Sequence, residues 1–442
     1  MRANRRLKRD ANKSNKTSAA GQEITSPGTM KTEKGERKRL LVLSSTFPRW
    51  KDDIEPPFVY DLCYHLKKHY DIHVLAPHCP GAALEEQLPG IQVTRFRYFY
   101  SPWERLAYQG GILANVKQNP LKFGLVPFFL VAELFALIRL LRSQRFDLIH
   151  AHWLFPQGLI SLLSRLLVKS NLPVLCTSHG GDLFGLQGRL MNRIKRWVIL
   201  KSDAMTVVSR SMREEVKIMD ADHEKVHVIP MGTDLKNRFT PPETRKHGDS
   251  LLFVGRLVEK KGLRYLIEAL PLILKKYPGV SLRIAGEGPE RKQLERMCMG
   301  LGITDHVLFL GAIKHEFLPD LYRNSDVVVF PSVISGSGDR EGFGLVLVEA
   351  LGCECATVAT DLPAVRDIII DGETGFVVPR NNVPKLAEKI IDLIDDPELG
   401  RKAGKKGRQY VLQRYDWDCI AAQYSALIGS MTAQPSTSSN SS

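Results

Sequence analysis

Short apolar runs recur along the chain, and between them lie stretches with a helical period. LLVLSS (40–45), IHVLAP (72–77), QVTRF (92–96), DLIHAH (147–152), PVLCTS (173–178), AMTVVS (204–209) and VHVIP (226–230) form the first series. Each is the length of a strand and is rich in β-branched or large apolar residues. Segments such as PFVYDLCYHLKKHY (57–70) and RLMNRIKRWVIL (189–200) place apolar residues three and four apart and predict amphipathic helices between strands. Such alternation predicts a mostly parallel sheet covered on both faces.

The pattern then breaks. MGTDLKNRFTPPETRKHGDS (231–250) is polar, carries two prolines and predicts an interdomain linker. A second series follows: LLFVG (251–255), SLRIAG (281–286), HVLFLG (306–311), DVVVFPS (326–332) and CATVAT (355–360). The expected organisation is an α/β domain over 39–235, a second over 245–414, a closing helix over about 415–431, and tails at 1–38 and 432–442. Both domains are expected to be Rossmann-like. Two open parallel sheets in series bind ligands at the carboxyl ends of their strands, and the motifs below fall there.

Charge changes the picture only at the start of the chain. The formal net charge is +14, and residues 1–39 alone hold twelve Lys/Arg against four Asp/Glu. This segment is polar, predicts disorder, and lacks the apolar core of a secretory signal peptide. Zinc-finger, helix-turn-helix and RNA-recognition signatures are missing, so no nucleic-acid partner is expected. The seven cysteines form no CxxC pair, which predicts buried thiols in a reducing cytoplasm. FGLVPFFLVAELFALIRLL (123–141) is the most apolar stretch, but Glu133 and Arg139 argue against a bilayer span. It predicts a core helix or one lying on a membrane, since Lys117, Lys122, Arg139 and Arg142 flank it.

The chemistry concentrates in EGFGLVLVEA (341–350). A glycine-punctuated loop carries Glu341, and Gly342, Phe343 and Gly344 lead into a helix that carries Glu349. A helix start offers free N–H groups to a phosphate, and Glu349 can accept bonds from a sugar diol. FVGRLVEKKG (253–262) places Arg256 and Lys261 five apart after a strand, a pair suited to a diphosphate or merely to solvent. AGEGPE (285–290) is a tight turn through Gly286 and Gly288. TSHGGDLF (177–184) sets His179 and Asp182 at a strand end, where His179 can reach a ligand or bond its own loop. In STFPRWKDDIEPPF (45–58), Arg49 and Lys51 could meet a second phosphate. In SGSGDREGFG (335–344), Asp339 and Arg340 could face substrate. HAHW (150–153) points two histidines the same way, but no third ligand is evident and no metal is expected.

With these residues in order, the chain resembles glycosyltransferase family 4, the retaining nucleotide-sugar enzymes of the GT-B fold. The resemblance spans roughly residues 38–430 and rests on His179, Arg256, Lys261, AGEGP and Glu341 with Glu349. It implies a hexosyltransferase needing no metal or cofactor beyond its nucleotide-diphosphate sugar. It implies that Arg256 and Lys261 bind the donor diphosphate, Glu349 the ribose and Glu341 the transferred sugar. His179 would sit beside the reacting centre. The last helix would cross from the second domain back to the first, acceptor-side one. The family's double glycine after the first strand is replaced here by STFPRWKDDIEPP, which leaves the acceptor contacts of Arg49, Lys51 and Asp182 less defined.

The expected acceptor is a glycan or a polyprenyl-linked lipid, in cell-surface or exopolysaccharide biosynthesis. The expected location is the cytoplasm, with peripheral contact at the anionic inner face of the plasma membrane. The alternatives are a GT-B nucleotide-sugar epimerase and, in another class, a basic membrane- or nucleic-acid-binding protein.

Overall fold

The computed structural model describes residues 37–50, 53, 57–108, 110–221, 224–244 and 249–433. Lys51 and nearly all of both expected tails lie outside the described residues.

Eight strands form the first sheet: β1 (Arg39–Leu43), β2 (Asp71–Pro77), β3 (Glu85–Leu88), β4 (Ile91–Phe96), β5 (Leu148–His152), β6 (Val174–Ser178), β7 (Ala204–Val207) and β8 (Val226–Val228). Their order is β3-β4-β2-β1-β5-β6-β7-β8, and among the described residues only the β3–β4 pair is antiparallel. Six strands form the second: β9 (Ser250–Val254), β10 (Ser281–Ala285), β11 (Val307–Gly311), β12 (Val327–Phe330), β13 (Ala356–Thr360) and β14 (Phe376–Val378). All its pairs are parallel, in the order β11-β10-β9-β12-β13-β14. The central strands are buried along their whole length because helices cover both faces, so they read as continuous apolar runs.

The strand order turns back between β1 and β5 and between β9 and β12. Chains leaving two neighbouring strands in opposite directions open a crevice at their carboxyl ends. Each domain therefore offers one such crevice.

One segment differs from expectation, and two others gain detail. The linker expected over 231–250 is, over its described stretch 231–244, not a bare one, since Leu235 and Phe239 are fully buried. Arg408 donates to the carbonyls of both, and Arg323 to that of Thr240. Two apolar side chains in a polar run are enough to seat it. The closing helix expected over about 415–431 is Trp417–Thr432; a separate helix, Pro397–Tyr415, precedes it, and the Asp416 side chain between them caps the second. The second helix packs Trp417, Ile420, Tyr424 and Ile428 into the first domain's core beside Leu40 and Leu148. The chain thus crosses back at Asp416. Finally, Val126–Ser143 is a helix with Phe129, Glu133, Leu137 and Leu140 buried and its opposite face in solvent.

Candidate active site

The second domain's crevice is built by two loops. One follows β9 and the other follows β12, the strands at the turn-back point. Three successive residues of the first loop hold the second. Glu259 Oε1 accepts from the Gly336 amide at 2.8 Å, Lys260 Nζ pairs with Asp339 Oδ1 at 3.1 Å, and Lys261 Nζ with Glu341 Oε2 at 2.5 Å. Burial alone would raise the Glu341 carboxyl. The charges of Lys261 and Lys260, with the Lys261 hydrogen bond, outweigh it and hold Glu341 below its ordinary value. Glu341 is therefore an anion, and Lys261 is a cation tethered at the mouth of the crevice.

Behind this pair, helix Leu345–Gly352 starts at Gly344, as expected. Glu349 is only 3% exposed. Its Oε1 faces His315 Nε2 at 2.9 Å, and its Oε2 accepts from the Tyr322 hydroxyl at 2.8 Å. Arg238 Nη1 lies 3.0 Å from His315 Nδ1, which makes Nδ1 the acceptor and leaves Nε2–H to donate to Glu349. Burial disfavours a charged His315, but its bond to Glu349 and that carboxylate's charge prevail and raise its pKa. A carboxylate has about four acceptor directions, so these two donors orient Glu349 and leave capacity for a diol.

The glycine turn after β10 does a packing task. A Cβ at Gly286 would lie 1.8 Å from the Gly255 carbonyl oxygen, and one at Gly288 2.2 Å from that of Leu257. Only glycine lets the two loops touch. Arg256 projects outward toward the first domain, its Nη1 3.4 Å from the Gly110 carbonyl. Phe343 is buried edge-on to Tyr415 with centroids 5.5 Å apart, so a ligand in the crevice meets its main chain only.

The facing wall comes from β5 and β6. His179 Nε2 is 2.9 Å from His152 Nδ1, and the rings stack at 12°. His150 continues the series, with Nε2 2.8 Å from Thr177 Oγ1, which in turn lies beside Thr206 and Tyr424. Burial, with the repulsion of His150, lowers His179 to about 3. Burial lowers His150 to about 3 as well. All three rings are neutral near pH 7, so His179 can offer a ligand a neutral hydrogen bond but not a positive charge. Its Nδ1 has no hydrogen-bond partner among the described residues. Asp182 turns away from the crevice: its oxygens accept from the Leu154 amide at 2.7 Å and the Ser178 hydroxyl at 2.8 Å. Arg49 is likewise committed, with Nη2 2.6 Å from Asp53 Oδ1.

The two walls meet. Gly180 and Gly342 touch main chain to main chain, and a Cβ on Gly342 would lie 3.1 Å from the Gly180 Cα. Beside them, Arg340 Nη2 reaches Glu215 Oε2 at 2.7 Å and its guanidinium lies 4.2 Å from the Phe184 ring centroid. Arg340 thus bridges the domains. The structure brings His179, Lys261, Glu341 and Gly342 together, with Glu349 behind, and leaves Arg49 bound to Asp53 and Asp182 to Leu154 and Ser178. Sequence reading missed His152, His315, Tyr322 and Glu215. The same-facing histidines of HAHW were a usable signal for His152, whereas KHEFLPDLY around His315 and Tyr322 carries none.

Two parallel α/β domains facing one crevice, lined by a lysine, two glutamates and a histidine, define a GT-B glycosyltransferase. The profile described as Glycosyltransferase Family 4 matches residues 57–237, and that of Glycosyl transferases group 1 matches 237–410. The chain belongs to this glycosyltransferase family, of the family 4 type. It is 30% identical over 266 residues to the GDP-mannose-dependent alpha-(1-6)-phosphatidylinositol monomannoside mannosyltransferase of Mycolicibacterium smegmatis, covering 58% of this chain and 69% of that one. It is 29% identical over 286 residues to the glycogen synthase of Mycobacterium tuberculosis, covering 63% and 68%. Among solved structures, sucrose-phosphate synthase from Thermosynechococcus elongatus matches with a TM-score of 0.73 at 23% identity, over 90% of this chain and all (100%) of that one. Anabaena HepE in complex with UDP-glucose matches with a TM-score of 0.68 at 17% identity, over 89% and 99%. These two likenesses concern the fold.

Proposed function

We propose that the protein moves a sugar from a nucleotide-diphosphate donor to a glycan or lipid-linked acceptor, with retention of configuration and without a metal. The Lys261–Glu341 pair at the turn-back point of the second sheet carries this reading. The donor pyrophosphate would sit between Lys261, Arg256 and the start of helix Leu345–Gly352. Glu349, oriented by His315 and Tyr322, would take the ribose diol. Glu341 would take hydroxyls of the transferred sugar, and neutral His179 would bond that sugar from the facing wall.

In the reaction the bond between anomeric carbon and phosphate oxygen breaks, and negative charge grows on the departing diphosphate. Lys261, Arg256 and the helix amides stabilise charge where it develops, which lowers the barrier. Glu341 is held by Lys261 and is a poor nucleophile, so the acceptor hydroxyl attacks from the leaving-group face. Its oxygen bonds the anomeric carbon, and its proton passes to the departing phosphate oxygen. Names of relatives suggest mannose or glucose donors, and assembly of a cell-surface or storage glycan at the cytoplasmic side agrees with them.

A melting-temperature screen against UDP-, GDP- and ADP-sugars tests the proposal, because a donor that binds only the folded state raises its stability. One nucleotide class should raise the melting temperature. No shift with any of the three would contradict the reading.

A further inference from the structure

One face of the first domain is apolar where it meets solvent. Tyr100 and Phe135 are each 68% exposed, and Leu121 is 88% exposed. Phe128, Val131 and Phe135 project from one side of helix Val126–Ser143, three and four residues apart. The Phe99 ring lies 5.2 Å from Phe128 and 5.9 Å from Trp103, joining the neighbouring loop to the helix in one patch. A contiguous patch of this kind marks an interaction surface.

Its charge identifies the occupant. Residues 97–145 hold seven Lys/Arg and two Asp/Glu. Both acids, Glu104 and Glu133, are fully buried, while Arg97, Arg105, Lys117, Arg139, Arg142 and Arg145 are exposed. The surface is therefore apolar and purely basic. A second copy presenting the same face would set like charges together. An anionic lipid surface satisfies both features.

The helical stretch Pro120–Ser143 has the length and composition to cross a bilayer. Its inner face is occupied, however: Phe129 packs at 5.1 Å from both Phe96 and Tyr98. With that face held to the domain, the helix can lie on a membrane but not enter it end-on.

We propose that this face docks the enzyme on an anionic phospholipid bilayer, with helix Val126–Ser143 flat in the headgroup layer and Trp103 and Phe135 inserted. The inference rests on the lipid-linked acceptor reading above and extends it. The same segment borders the crevice, since Gly110 meets Arg256 and a Cβ on Gly185 would lie 3.0 Å from Leu113 Cδ2. An acceptor held in the bilayer would enter from this side.

The test uses the full chain with phosphatidylcholine vesicles, plain or containing about one-third phosphatidylglycerol. Cosedimentation is read together with quenching of Trp103 by brominated acyl chains, taken as the difference from Trp103→Phe. The protein should bind the anionic vesicles and Trp103 should be quenched. Phe128→Ser with Phe135→Ser should weaken binding about tenfold or more while melting temperature and nucleotide-diphosphate affinity stay unchanged. The basic N-terminal segment also attracts anionic lipid and adds to cosedimentation, but it neither quenches Trp103 nor responds to the serine pair. Equal binding by the serine pair with no Trp103 quench would overturn the proposal, as would a dimer that the pair dissociates without any lipid binding. Donor binding is measured separately, so its failure would be seen as such.

Discussion

Gly180 and Gly342 close the crevice by direct main-chain contact: a Cβ on Gly180 would stand 3.0 Å from the Gly342 Cα. This contact joins the loop of His179 to that of Glu341. The His179 and Glu341 loops are thereby held on opposite sides of one crevice by residues with no side chain.

Gly342→Ala tests whether that approach matters. The new methyl would lie 3.1 Å from both the Gly180 Cα and the His179 carbonyl oxygen. Overpacking of this kind costs about 1–3 kcal/mol, so kcat/KM should fall about tenfold. Steady-state kinetics check it, with the melting curve as control. Unchanged kinetics would mean the walls need not close this far.

Lys261→Ala removes the partner of Glu341 and, on the proposed reading, a diphosphate contact. We expect kcat to fall about 10²–10³-fold, the scale of losing one preorganised charge-stabilising donor. Burial would then act on Glu341 without the Lys261 charge, so the acid limb of the kcat profile should move to higher pH. A loss of less than about threefold would remove Lys261 from the chemistry.

Glu133 gives a stability test away from the crevice. It is fully buried on helix Val126–Ser143, where Gln157 Nε2 donates to it at 3.1 Å, and burial raises its carboxyl to about 8 from 4.5. A folded-state pKa above the unfolded one means its share of stability is complete below 4.5 and is lost as pH rises through 8. Glu133→Gln cannot ionise. It should match the parent near pH 4.5 and exceed it by about 1–3 kcal/mol at pH 8 in denaturant titrations. His150 and His179 act in the opposite sense. Their folded values near 3 lie below the ordinary 6.5, so stability falls as pH drops through that interval.

Much of this was legible from the chain because buried parallel strands write themselves as apolar runs, and the twelve such runs correspond to strands. The two strands that escaped have physical reasons. β3, EEQL, is a polar edge strand paired on one side, and β14 has three residues. Glu341, Glu349 and Lys261 were readable because loop and helix starts carry local signatures. The Glu349 partners His315 and Tyr322 were not, nor was Glu215, the partner of Arg340, because these contacts form only through tertiary packing, over 27 residues for Tyr322 to Glu349 and 125 for Arg340 to Glu215. Gly286 and Gly288 stood out as glycines, but what they accommodate, the loop after β9, is visible only in three dimensions.

On the proposed reading, positive groups and a helix start surround a pyrophosphate while Glu349 holds the adjoining ribose. Calorimetric titration of the matched nucleoside diphosphate and monophosphate into the parent and Glu349→Ala tests it most directly. The diphosphate should bind the parent well over tenfold more tightly than the monophosphate, and Glu349→Ala should weaken both by about 1.5–3 kcal/mol. Equal affinity for the two nucleotides, or affinities untouched by Glu349→Ala, would contradict it.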